Sequence, residues 1–184
     1  MRIRFEDGYY EGEIHNNKRN GQGIFYYDNK TIYIGNWYND KMSGNGSLIY
    51  PDDSVFVGEF WSGVILGRGY KIYANGDKYT GCWNDGKRHG QGTCVYADGS
   101  MYSGDWENDK RSGYGVMLYA DKRTYAGAWE DDEPWHWLWI PCSDKKEVFD
   151  YFFNDLGGLL KVKDPKYNVQ KLKQLLLADE ESKD

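Results

Sequence analysis

The chain has 184 residues and a net charge of −6, and its 17 tyrosines and 8 tryptophans dominate an aromatic content of 17%. That charge balance argues against nucleic acid as a general partner, because phosphate binding needs a positive field, and no apolar run reaches the length of a membrane span. Three cysteines (Cys82, Cys94, Cys142) with no Cys-x-x-Cys spacing fit reduced thiols in an intracellular protein.

The first four residues, Met1 to Arg4, lead into no signal-peptide hydrophobic region. From Tyr10 the chain repeats itself every 23 residues without insertion or deletion. The first half of the unit reads YEGEI (10–14), YIGNW (33–37), FVGEF (56–60), YTGCW (79–83), YSGDW (102–106) and YAGAW (125–129). The second half carries Gly-x-Gly at 21–23, 44–46, 67–69, 90–92 and 113–115, each followed four residues later by Tyr27, Tyr50, Tyr73, Tyr96 or Tyr119. A fixed period of this size indicates stacked supersecondary units.

Alternation within the unit gives its conformation. In an extended chain Tyr102, Gly104 and Trp106 share one face, while Ser103 and Asp105 share the other. That is the pattern of a half-buried strand. Gly113 to Tyr119 reads as the return strand, and Asn108-Asp109-Lys110 as the turn. Each unit is therefore predicted to be a β-hairpin. Glycine between two aromatics leaves room for rings, expected here to come from the adjacent hairpin. Sixteen of the 23 glycines fall at the three repeat positions, which is packing chemistry and not linker composition. One hairpin is marginal in water, so stability must come from its neighbours.

After Trp129 the text changes. EDDEPWHWLWIP (130–141) puts Trp135, Trp137 and Trp139 on one strand face, as an end cap or a recognition patch. Ser143-Asp144 offers an N-cap, and Val148, Phe149, Phe152, Phe153 and Leu156 recur at helical spacing. Asp164-Pro165 starts a second helix with Leu172, Leu175 and Leu176 on its stripe, before an acidic tail. The fold expected is mainly β, a single-layer solenoid of antiparallel hairpins with a short helical extension. Its divisions are 1–130 for the solenoid, 131–142 for the tryptophan-rich strand and 143–184 for two amphipathic helices and tail.

Tyr-x-Gly-x-Trp, a polar turn, Gly-x-Gly and Tyr-x-Asp-Gly, clearest in YTGCWNDGKRHGQGTCVYADG at 79–99, resemble MORN repeats over roughly residues 5–130. The copy at 56–79 departs most, with Phe60 for Trp and Val64-Ile65-Leu66 for the basic turn. Ile14 stands at the Trp position of the first copy, and the last copy loses its Gly-x-Gly. The resemblance implies assembly roles such as axonemal, cytoskeletal or membrane-junction scaffolding, and hence a cytoplasmic, cytoskeleton-associated protein.

Catalytic chemistry is not expected, nor a cofactor or metal. His15, His89 and His136 share no ligand spacing, the first two falling in the hairpin turns. The function expected is binding of a partner protein, as a helix or extended peptide, in an aromatic groove contacted by Tyr27, Tyr50, Tyr73, Tyr96 and Tyr119. Two alternatives stay open. Lys18, Arg19, Lys41, Lys87, Arg88, Lys110 and Arg111 line the turns as contacts for phospholipid headgroups, a role proposed for the family, although the region 1–140 holds 15 basic against 20 acidic residues. The second is homodimerisation through Trp135, Trp137, Trp139, Phe149, Phe152 and Phe153.

Overall fold

A computed structural model describes residues 2–135. The chain divides into two units, Met1–Pro141 and Cys142–Asp184. The expected helices, and the tryptophan segment beyond Trp135, lie outside the described residues.

Every repeat is a hairpin, as the alternation requires. A short strand, β1 (Ile3–Phe5), precedes the first hairpin, β2 (Gly8–His15) and β3 (Lys18–Tyr27). The second pairs β4 (Ile32–Tyr38) with β5 (Lys41–Ile49), and the third pairs β6 (Val55–Trp61) with β7 (Val64–Ile72). The fourth pairs β8 (Lys78–Asn84) with β9 (Lys87–Val95), and the fifth pairs β10 (Met101–Glu107) with β11 (Lys110–Leu118). β12 (Thr124–Glu130) and β13 (Glu133–Pro134) follow. The thirteen strands of the described residues form one sheet in chain order.

Two kinds of turn set this connectivity. The hairpin tips have positive φ at both central residues, as in Asn108 (50°) and Asp109 (72°), the geometry of a type I′ turn that matches the right-handed twist of its strands. The hairpins are joined by a wider turn. There Tyr96 N–H donates to Ser100 O at 2.9 Å and Gly99 N–H to Tyr96 O at 3.0 Å, while Asp98 Oδ1 accepts from Ser100 N–H at 2.8 Å. The carboxylate thus stands in for a backbone acceptor.

Each hairpin also carries a bulge. Gly104 pairs with Gly115, but the next residue, Asp105, pairs with Ser112. Gly113 and Tyr114 are therefore extra on the return arm, which sharpens the twist. The displaced Tyr114 N–H donates to Asp105 Oδ2 at 2.9 Å. In the first hairpin, Gln22 N–H donates to Glu13 Oε1 at 3.0 Å.

The core is a single zipper of rings on one face. Tyr79 meets Trp83 of its own hairpin at 5.1 Å and Trp106 of the next at 5.3 Å, both edge-to-face. Tyr102 repeats this with Trp106 at 5.1 Å and Trp129 at 5.2 Å. Such pairs contribute about 0.5–1.5 kcal/mol each beyond area burial. The first-arm glycine and the second glycine of each Gly-x-Gly serve a ring, but chiefly that of the hairpin's own Tyr or Phe and not the neighbour's, contrary to expectation. The first glycine of each Gly-x-Gly has positive φ and lies against the outward side chain across the bulge. A Cβ on Gly92 would overlap Tyr79 Oη. That hydroxyl crosses the glycine pair to donate to Cys82 O at 3.0 Å, as Tyr10, Tyr33, Tyr102 and Tyr125 donate to the carbonyl three residues on.

Candidate functional site

The return-arm tyrosines sit where the ring face meets the joining turns. Tyr27, Tyr50, Tyr73, Tyr96 and Tyr119 are all partly buried against the core, one per hairpin. Burial pushes the Tyr27 and Tyr50 phenols up, pushes Tyr73 up to about 12, and raises Tyr96 as well. A shallow depression of ≈ 370 Å³ lies at the fourth of them, lined by Asp77, Tyr96, Ala97, Asp98, Ser100, Arg111 and Met117.

Two residues back from each tyrosine, the same face carries Phe25, Leu48, Lys71, Cys94 and Met117. Four are apolar or a buried thiol, and Lys71 breaks the row. Its ammonium lies 5.0 Å from the Tyr50 ring centroid and 4.8 Å from that of Tyr73. Desolvation lowers the Lys71 pKa, opposed by attraction to Asp109 and Asp52. The two tyrosine faces offset part of the cost of the water this ammonium loses, because a ring quadrupole attracts a cation. Sequence reasoning missed this lysine. The signal lay in the repeat alignment, where a charge occupies a position that is otherwise core.

The basic turn residues separate into two groups. Arg19, Arg88 and Arg111 fold back over the ring face, 4.4 Å from Trp37, 4.1 Å from Trp106 and 4.4 Å from Trp129. Each also binds an aspartate of the next hairpin tip. Arg111 Nε and backbone N–H donate to Asp132 Oδ1 at 3.0 and 2.9 Å, and Nη2 donates to Asp132 O at 2.8 Å. Arg19 with Asp40 and Arg88 with Asp109 repeat this arrangement. These guanidiniums are engaged in interhairpin packing. Lys18, Lys41, Lys87 and Lys110 remain exposed at the tips, Lys41 donating to Ser62 Oγ at 3.0 Å and Lys110 pairing with Asp131 at 3.0 Å.

Trp135 is exposed, with its indole N–H donating to Glu130 Oε2 at 2.6 Å. Trp137, Trp139, Phe149, Phe152 and Phe153 lie outside the described residues. His15 ends β2 and His89 lies within β9, so both are strand residues beside the turns, and both are exposed. Among the described residues no group of three or more His, Cys, Asp or Glu side chains is placed to hold a metal ion.

The MORN repeat model matches residues 10–32, 33–55, 56–78, 79–101 and 102–122. The chain belongs to the MORN repeat family. These five MORN repeats begin at Tyr10, Tyr33, Phe56, Tyr79 and Tyr102, the residues whose rings build the zipper. No curated protein sequence matches the chain. Solved structures similar to it include the TCP domain of SAS-4 (dCPAP) of Drosophila melanogaster in complex with a proline-rich motif of Ana2 (dSTIL). That match has 12% identity and a TM-score of 0.42, covering 66% of this chain and 71% of that one. The TCP10 domain of Danio rerio CPAP in complex with a STIL peptide matches at 14% identity and a TM-score of 0.33, covering 58% of each chain. Likeness at this distance has no bearing on what the MORN chain binds.

Proposed function

We propose that this MORN protein is a non-enzymatic scaffold whose ring face receives a segment of a partner protein, helical or extended. The observation that carries the reading is the row of half-buried tyrosines, Tyr27, Tyr50, Tyr73, Tyr96 and Tyr119, repeated on one face with Lys71 set between two of them. Tyrosines of this kind supply rigid contact area with a polar end, which suits recognition of another chain. Lys71 adds a chemical preference, because a carboxylate on the docked segment would find an ammonium that has already lost much of its water. The setting that suits such a scaffold is a cytoskeletal, axonemal or membrane-associated assembly.

The test is affinity purification of the native protein, followed by binding of each recovered partner to Lys71→Glu and Tyr96→Ala. Melting temperature is measured alongside to show that the variants are folded. Loss of at least one partner by both folded variants supports the groove, and retention of every partner by both sinks it. Four exposed lysines, at the first, second, fourth and fifth tips, favour the phospholipid reading as the alternative. Flotation with anionic liposomes at physiological salt decides that question, since absence of the protein from the floated fraction ends it. The homodimer alternative rests on the segment after residue 130 and is tested by light scattering of the full chain.

A further inference from the structure

The third hairpin differs from the others on both faces. Its ring positions are Phe56 and Phe60, so the hydroxyl bond that crosses the glycine pair in the other repeats is missing. At the arginine position stands Ile65, and Met42 stands there in the hairpin before, so neither junction of the third hairpin carries an arginine–aspartate clamp. Its tip reads Trp61-Ser62-Gly63-Val64, where the neighbouring tips read Tyr38-Asn39-Asp40-Lys41 and Asn84-Asp85-Gly86-Lys87.

Strand parity turns this tip outward. Phe60 and Ile65 pair on the ring face, so their neighbours Trp61, Val64 and Leu66 point to the opposite face. Trp61 is 68% exposed, and Tyr38, one hairpin along at the same repeat position, is 66% exposed. Val64 and Leu66 are exposed as well. Four large apolar side chains in water at one end of adjacent hairpins form a patch that folding does not use. Its rim is basic. The Lys41 ammonium reaches Ser62 in the third tip at 3.0 Å, and exposed Lys87 and Arg68 flank it on the side of the fourth hairpin. Of the three nearby carboxylates, Asp40 is bound by Arg19 of the first hairpin, Glu59 is turned onto the bulge beside Gly67, and Asp85 lies in the next turn.

We infer that the tip of the third hairpin, built from Trp61, Val64 and Leu66 with Tyr38 beside them, is a second docking surface, separate from the ring-face groove. Its occupant is a peptide segment of a partner protein that presents an apolar anchor flanked by carboxylates. Trp61 provides the desolvated centre, of the residue type that most often dominates interfaces. Lys41, Arg68 and Lys87 select acidic flanks and steer the encounter.

A random-peptide display library, selected on the immobilised full chain, tests this with defined probes. The control variants take their residues from the fourth repeat of the same chain: Trp61→Asn with Val64→Lys, and separately Leu66→His. The expected result is a family of peptides with a leucine or aromatic anchor and Asp or Glu within a turn or so of it. Their affinity should fall about tenfold or more on Trp61→Asn/Val64→Lys and fall again on Lys41→Glu/Lys87→Glu, while Lys71→Glu in the groove leaves it unchanged. If the first variant melts early, Leu66→His and the Lys41/Lys87 pair carry the comparison. Selected peptides that bind all tip variants as well as wild type, or that share no acidic residues, overturn the inference. So does self-association abolished by Trp61→Asn, which would make a second copy the occupant, or liposome flotation that depends on Trp61.

Discussion

At Tyr79 one ring constrains five other residues. It packs on Trp83 and Trp106, and its hydroxyl crosses Gly81 and Gly92 to reach Cys82 O. No side chain fits beneath it. Gly92→Ala should therefore lower stability by about 1–3 kcal/mol, the range for overpacking a rigid site, as read from chemical denaturation. Gly44→Asn, with positive φ but its nearest contact at 3.5 Å, should cost little. Glycine positions were legible in the sequence, because sixteen of 23 share three places in the period. Which ring they serve was not legible, since the hairpin's own aromatic residue and its neighbour's recur at a fixed spacing through the repeats. Cys94 gives a second check at this scale. Burial pushes its thiol up to about 11, so alkylation at neutral pH, mapped by mass spectrometry, should reach it only after unfolding.

Between hairpins, the joint is an arginine clamped over a tryptophan or is apolar, and the next tip changes to match. Arg19, Arg88 and Arg111 face Asp40, Asp109 and Asp132, whereas Met42 and Ile65 face Gly63 and Gly86, whose N–H groups donate to Met42 O at 2.9 Å and Ile65 O at 3.0 Å. The physical reason is that a part-buried guanidinium needs its donors met, while an apolar side chain has no use for a carboxylate beside it. A double-mutant cycle on Arg88→Met and Asp109→Gly should give a favourable coupling on the order of 1 kcal/mol. Additive losses would show that the two residues act independently. This 21-residue correspondence is present in the sequence as letters. Read one turn at a time, the arginines looked like surface cations suited to anions, because nothing local says that they fold back onto the rings.

Across the described sheet, stability is a sum over hairpins and the junctions between them, so deleting one period is an informative experiment. Removing residues 56–78 sets Met42 against Gly86 and preserves a matched junction. Removing 79–101 sets Ile65 against Asp109 and leaves a carboxylate facing an aliphatic side chain. The first deletion should unfold at higher denaturant than the second, and adding Asp109→Gly to the second should recover part of the difference. The tyrosine-rich core also sets a pH limit. Desolvation raises the phenol pKa of Tyr33, Tyr73, Tyr79, Tyr96 and Tyr102 above the ordinary 10.0. A raised folded-state value means the stabilisation is fully present below pH 10 and is lost as pH rises through the folded-state values. Thermal midpoints should be insensitive to tyrosine ionisation near neutrality and fall steeply above about pH 10, with the buried tyrosines' share of the tyrosinate absorbance appearing together with unfolding.

By itself the sequence determined the period, the hairpin, the alternation of faces and the single antiparallel sheet. Each of these follows from side chains two residues apart or from a repeat copied without insertion, and local chemistry suffices for both. Only the tertiary structure decided that Arg19, Arg88 and Arg111 lie over the rings of the next hairpin. It likewise decided that Lys71 stands between Tyr50 and Tyr73. Those outcomes depend on how one hairpin twists against the next at a bulge, a relation between residues about twenty apart that no local pattern encodes.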